Sequence, residues 1–153
     1  MIASDLLRRA RSGIDAKRRV RSAYLRRAVS DAYYALFHAL AFACANNLVG
    51  VTKRDSAAWR RIYRGLEHGR AKEEFGRAET RALHQDIARI GAAFKQLQEA
   101  RHMADYDPAT TLRRRSDAEA LIGIAETAIS DLDTLPADMA LELAAYLLVR
   151  KRP

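Results

Sequence analysis

Cysteine occurs once in the 153 residues, as Cys44, which excludes an internal disulfide framework and any multi-cysteine zinc module. Three prolines and seven glycines leave too little punctuation for a many-stranded sheet. No stretch alternates apolar and polar residues as a half-buried strand does. There is no glycine-rich phosphate loop and no serine-elbow motif. The opening MIASDLLRRARSG has neither the apolar run nor the small-residue cleavage site of a secretory signal, so a reducing cytoplasm is the expected location. Apolar residues, by contrast, make up 49% of the chain, enough for a sizeable core at the length of one ordinary domain.

Positive charge is the second abundance. The formal net charge is +8, and it is unevenly placed. Residues 1–30 carry nine basic and two acidic side chains, residues 31–112 twelve and ten, and residues 113–153 six and seven. The excess is therefore Arg8, Arg9, Arg11, Lys17, Arg18, Arg19, Arg21, Arg26 and Arg27. Arginine outnumbers lysine 22 to 5, and a planar guanidinium suits paired contacts to phosphate oxygens. Such a run reads either as a surface for nucleic acid or nucleotide phosphates or as a solvated arginine-rich face. No aromatic residues interleave with it as a single-strand stacking platform requires. Its apolar residues are too few and small for a membrane-surface helix, so no membrane association is expected.

The apolar periodicity predicts helices throughout, and the expected fold is an all-α bundle of five to six helices in one domain, 1–153. A basic N-terminal segment (1–30) leads into a core (19–135) and a C-terminal helix (136–150). The first helix is expected over 4–12 with Ser4 as N-cap, and the second over about 19–47. Within the second, residues 32–45 hold one polar side chain, His38, and fourteen residues are too few to span a bilayer. A third helix fits about 54–68, and the charged, glycine-bearing stretch 69–78 reads as a connection. Leu83, Ile87, Ile90, Phe94 and Leu97 mark a fourth helix that ends by Asp107, because Pro108 disfavours helical geometry before it. Ser116-Asp117-Ala118-Glu119 has the pattern of a capping box for a fifth, and Pro136 suits the start of a sixth.

Two places break the apolar pattern. Continuing the fourth-helix stripe past Leu97 lands on Arg101, a guanidinium on a face that should be buried. Burying it without partners is costly, so it needs either a partner or a wet cleft. Asp105 stands one turn on and can brace it, with Tyr106 following. On the second helix, Arg27, Asp31, Tyr34 and His38 fall along one side. His38 titrates near neutral pH and can move protons, or it is a hydrogen-bonded core histidine. Arg27 and Asp31 are also placed to pair with each other. Glu99-x-x-His102 matches half of a di-iron bundle site, but no second copy exists, so no metal is expected. Cys44 sits in the apolar run and reads as a small hydrophobe.

The segment from Leu25 to Leu40, LRRAVSDAYYALFHAL, resembles the signature helix of HEPN domains (higher eukaryotes and prokaryotes nucleotide-binding), with its Arg-Ala-x-Ser-x-Ala-Tyr-Tyr-Ala-x-Phe-His string. LQEARHMADYDP, from Leu97 to Pro108, is similar to the Arg…Ala-Asp-Tyr-Asp end of the penultimate helix in that family. The two segments and the helices between them cover most of residues 20–135. The resemblance implies a helical homodimer, found in toxin–antitoxin or defence loci beside a minimal nucleotidyltransferase. Catalytic members use an arginine followed, after four to six residues, by a histidine. Arg101 matches the arginine, yet Tyr106 stands where the histidine belongs. Arg61…His68 and Arg77…His84 have the spacing too, but composition alone predicts about two such pairs.

Metal-independent RNA cleavage needs a base for the 2′-hydroxyl, an acid for the leaving oxygen and a cation for the phosphorane charge. Arg101 suits the cation, and His38 suits the base if its helix packs against the end of the fourth. His102 lies about 100° round the helix from Arg101. The leading expectation is therefore a protein that binds RNA or a nucleotide around Arg101, Asp105 and Tyr106, with His38 facing them and Arg27, Ser30 and Tyr34 of the signature helix contributing. The alternatives are an active ribonuclease toxin using Arg101, His38 and His102, and a non-catalytic dimeric partner of a nucleotidyltransferase antitoxin. No cofactor is expected.

Overall fold

The computed structural model describes residues 1–15, 21–109 and 114–150. Lys17, Arg18 and Arg19 of the basic run, the expected start of the second helix and Lys151 and Arg152 lie outside the described residues. Every regular element among those described is helical: α1 (Ile2–Ile14), α2 (Ser22–Leu48), a 3-10 turn (Val51–Lys53), α3 (Ala57–Tyr63), α4 (His68–Gly76), α5 (Ala78–Ala82), α6 (Gln85–Tyr106), α7 (Arg115–Asp133) and α8 (Ala137–Leu148). The all-α expectation holds, but there are eight α-helices among the described residues rather than five to six.

One extra helix, α4, occupies the stretch expected to be a connection, and the other, α5, follows directly after it. Gly69 and Gly76 suggested breaks, yet they occupy the first turn and the last position of α4. Burial of Ala71 (0% exposed) and Phe75 (1%) outweighs the roughly 1 kcal/mol that a helical glycine costs. Other boundaries shift for local reasons. Ser4 does not cap α1; Met1 holds that position, and the Ser4 hydroxyl donates back to the Met1 carbonyl at 2.8 Å. Leu83 precedes α6 instead of opening its stripe. Ser116 lies inside α7, where the carboxylate of Asp117 accepts the Arg114 N–H at 3.2 Å. At α3, Ser56 is the N-cap and its hydroxyl accepts the Trp59 N–H at 3.1 Å. After α2 the chain turns through Gly50 at φ 110°, a conformation that residues with a Cβ rarely adopt.

The chain divides into two compact units, Met1–His38 with Ala93–Ile129 and Ala39–Ala92 with Ser130–Pro153. In the first, the tilted rings of Tyr33 and Phe94 lie 5.5 Å apart, joining α2 to α6, and Leu25, Leu36 and Ile122 are fully buried. Two ion pairs tie α1 down: Arg9 forks onto Asp31 of α2 (Nε–Oδ2 2.7 Å, Nη2–Oδ1 2.5 Å) and Arg11 onto Glu126 of α7 (3.0 and 2.5 Å). In the second unit, α4 packs on α5 and α8. Arg70 donates to the carbonyls of Leu147 (2.7 Å) and Val149 (2.6 Å), capping the end of α8. Trp59 packs edge-on against Phe42 and donates its indole N–H to Asn46 at 3.0 Å.

By length and composition alone α2 is apolar enough to cross a membrane, but 67% of its most apolar stretch is buried inside the protein. It is a core helix, whose apolar residues satisfy the interior rather than lipid.

Candidate functional site

The site is built where α2 meets the C-terminal half of α6 within the first unit. These helices run antiparallel: Tyr33 touches Phe94, while Arg26, nearer the start of α2, reaches the far end of α6. The Arg26 guanidinium donates to the carbonyls of Ala104 (2.8 Å) and Asp107 (3.0 Å), two groups that the ending helix leaves without partners. Arg101 sits one turn before this anchored end. Its side chain is 20% exposed, and its Nε donates to Asp105 Oδ2 at 3.0 Å. Its guanidinium carbon lies 5.4 Å from the ring centre of Tyr33 and 5.1 Å from that of Tyr34. The charge on the apolar stripe is thus accommodated by two aromatic faces and one carboxylate.

Tyr33 is fully buried, and burial pushes its hydroxyl up to about 12 despite the nearby Arg101 charge and a hydrogen bond with Gln98. It serves as a platform, and no proton leaves it near neutral pH. His38 follows one turn after Tyr34 on α2, with ring centres 6.4 Å apart. Burial lowers its pKa, so the neutral imidazole that can accept a proton is favoured.

The structure therefore brings Arg101, Asp105 and Tyr34 together, with His38 adjacent to Tyr34. Two expected members fall elsewhere. Tyr106, the last residue of α6, is 67% exposed, and its ring lies 5.1 Å from that of His102, also exposed. Residues 102 and 106 form their own one-turn pair. Arg27 is exposed and lies 3.6 Å from Asp31, whose carboxylate is only 4% exposed and is already held by Arg9. Ser30 is half-buried on the same side of α2.

Two participants were not among the expected site residues, although Tyr33 lies within the signature string. Tyr33 falls on the apolar side of α2 and reads as core. Arg26 is one arginine among many, and its partners lie about eighty residues away. A concavity of about 300 Å³ lies in the other unit between α4, α5 and α8, lined by Glu74, Arg77, Glu79, Ala145, Tyr146 and Val149. Burial pushes the Cys44 thiol up to about 12, as befits a small hydrophobe. Among the described residues, no three His, Cys, Asp or Glu side chains converge to hold a metal ion.

In comparisons with known proteins, the family model of the HEPN domain matches residues 3–134. No curated protein and no solved structure matches the chain.

Proposed function

The chain belongs to the HEPN domain family, and on that footing we propose that it binds RNA or a nucleotide at the end of α6, with Arg101 as the phosphate-binding cation. Membership supports a nucleotide- or RNA-related function in general. The observation behind the finer reading is the Arg101 side chain, 20% exposed, backed by two tyrosine faces and steadied by one carboxylate. A guanidinium held in this way keeps donors for a phosphate while losing little side-chain freedom on binding. His38 and Tyr34 extend the surface along α2.

The test is RNA and nucleotide binding in modest salt, comparing wild type with Arg101→Ala. Binding that weakens about tenfold or more in the variant supports the reading, since a charge-assisted contact contributes about 1.5–3 kcal/mol. Undetectable wild-type binding, or an unchanged variant, sinks it. A variant that only melts earlier makes the Arg101–Asp105 pair a structural brace in an interaction protein.

The lowered pKa of His38 favours one second reading, a metal-independent ribonuclease. There His38 takes the 2′-hydroxyl proton, the 2′-oxygen attacks phosphorus, and the leaving 5′-oxygen receives a proton from an acid such as His102. Arg101 offsets the charge of the phosphorane. RNA fragments produced in EDTA by wild type, and by neither Arg101→Ala nor His38→Ala, would establish it. A homodimer, a toxin–antitoxin or defence setting and a nucleotidyltransferase partner belong to the same proposal and rest on the family resemblance.

A further inference from the structure

Among the described residues of the N-terminal basic run, five of six arginines are engaged with the protein itself, Arg21 being the exception. Arg8 pairs with Asp5, Arg9 and Arg27 with Asp31, and Arg11 with Glu126, while Arg26 caps α6. In the other unit, unengaged positive charge is concentrated on one short stretch. Residues 51–66, the 3-10 turn and α3, carry Lys53, Arg54, Arg60, Arg61 and Arg64 against a single acid, Asp55. All five cations are exposed. Arg54 spends its charge on the Phe42 ring, at 4.5 Å, and on Asn46. Lys53, Arg60, Arg61 and Arg64 have no ion-pair or side-chain hydrogen-bond partner among the described residues.

The fold fixes where these side chains go. Trp59 is 8% exposed and stacks on Tyr63 with ring centres 5.2 Å apart, so the apolar side of α3 is turned inward. Arg60 and Arg64 are one helical turn apart, about 6 Å along the axis, with Arg61 beside them. Three guanidiniums on so short a length of rigid helix match adjacent phosphates on a nucleotide strand.

We infer that the 3-10 turn and α3 form a second nucleic-acid surface, in which Lys53, Arg60, Arg61 and Arg64 hold the phosphodiester backbone of RNA. The inference rests on the reading that RNA is a ligand of this protein. It adds a contact remote in sequence from Arg101, on the unit that does not carry it. The neighbouring aromatic rings are committed to their own stack, so this surface contacts phosphate and tolerates any base sequence. An anionic lipid surface fits the same charge less well, because Val51 is the single large apolar side chain exposed over residues 51–66, too little for membrane insertion.

The experiment is anisotropy of a fluorescein-labelled single-stranded RNA across a salt series, with four full-length proteins. These are wild type, R60Q/R61Q/R64Q, a charge-matched control K72Q/K95Q/R114Q, and R101A. The emission of Trp59, the one tryptophan, reports that α3 stays folded. The α3 variant is expected to bind about tenfold or more weakly, and its plot of log affinity against log salt to be shallower by about 2 for three lost phosphate contacts. The control is expected to keep the wild-type slope. Equal losses in the two triple variants would mean that only net charge matters and would overturn the inference. So would wild-type behaviour of the α3 variant while R101A weakens binding, an outcome that leaves the Arg101 site standing. Absence of wild-type binding overturns both. If the α3 variant keeps RNA affinity but loses binding to phosphatidylserine vesicles, the partner is a lipid surface and the inference fails.

Discussion

The Arg101 guanidinium stands 5.1 Å from the ring centre of Tyr34, so the least expected charge of α6 rests on the aromatic pair of α2. Removing that face, in Tyr34→Ala, is expected to cost about 1–3 kcal/mol through the lost cation–π contact and burial. Tyr34→Phe keeps the ring and should retain most of that stability. Chemical denaturation separates the two variants. Equal destabilisation would show that the hydroxyl, not the ring face, matters.

His38 links stability to pH. Its folded-state pKa lies below the ordinary 6.5 because burial disfavours the imidazolium. The unfolded chain therefore takes up a proton before the folded protein does. The contribution is fully present above pH 6.5 and is lost as pH falls through the folded value. Thermal melts from about pH 8 to about pH 5 should show wild type losing stability faster than His38→Gln over the acidic part of that range. Parallel curves would refute the linkage.

Arg26 anchors the end of α6 through the carbonyls of Ala104 and Asp107. Arg26→Ala should cost about 2 kcal/mol, the size of a charged hydrogen bond. Amide exchange should quicken over residues 101–107 while residues 87–97 keep their protection. Uniform acceleration along the helix would mean that Arg26 acts on global stability alone.

Two glycines should respond in opposite directions to the same change. A Cβ at Gly91 would come within 2.8 Å of the Phe75 ring, itself fully buried, so Gly91→Ala should destabilise by about 1–3 kcal/mol. At Gly123, in the middle of α7, a Cβ meets nothing within 4 Å. Gly123→Ala should therefore stabilise by about 0.5–1 kcal/mol. Urea midpoints decide both signs.

Much of the fold is legible in the residue order, because helical burial is periodic. Ile87, Ile90, Phe94 and Leu97 recur at the helical repeat and are all fully buried. The stretch 69–78 was misleading because glycine propensity is a local cost of about 1 kcal/mol, and packing of Phe75 and Ala71 exceeds it. At the candidate site the same division appears. Arg101 stood out as a charge on an apolar stripe, and Asp105 one turn on is a property of helix geometry alone. The placement of Tyr106 and His102 away from Arg101 also follows from angle rather than nearness in sequence.

The sequence by itself determined the all-helical class, the family and the anomalous arginine, since each depends on neighbours within a few turns. Only the tertiary structure decided what that arginine rests on and which other arginines remain available to a partner. Asp31 is claimed by Arg9, twenty-two residues earlier, and Glu126 by Arg11, 115 residues before it. Net charge is a sum over composition, whereas available charge depends on which carboxylates and carbonyls the fold brings within hydrogen-bonding distance. That is why Arg9 and Arg11 are engaged, while Arg60, Arg61 and Arg64 in and just after α3 have no ion-pair partner among the described residues.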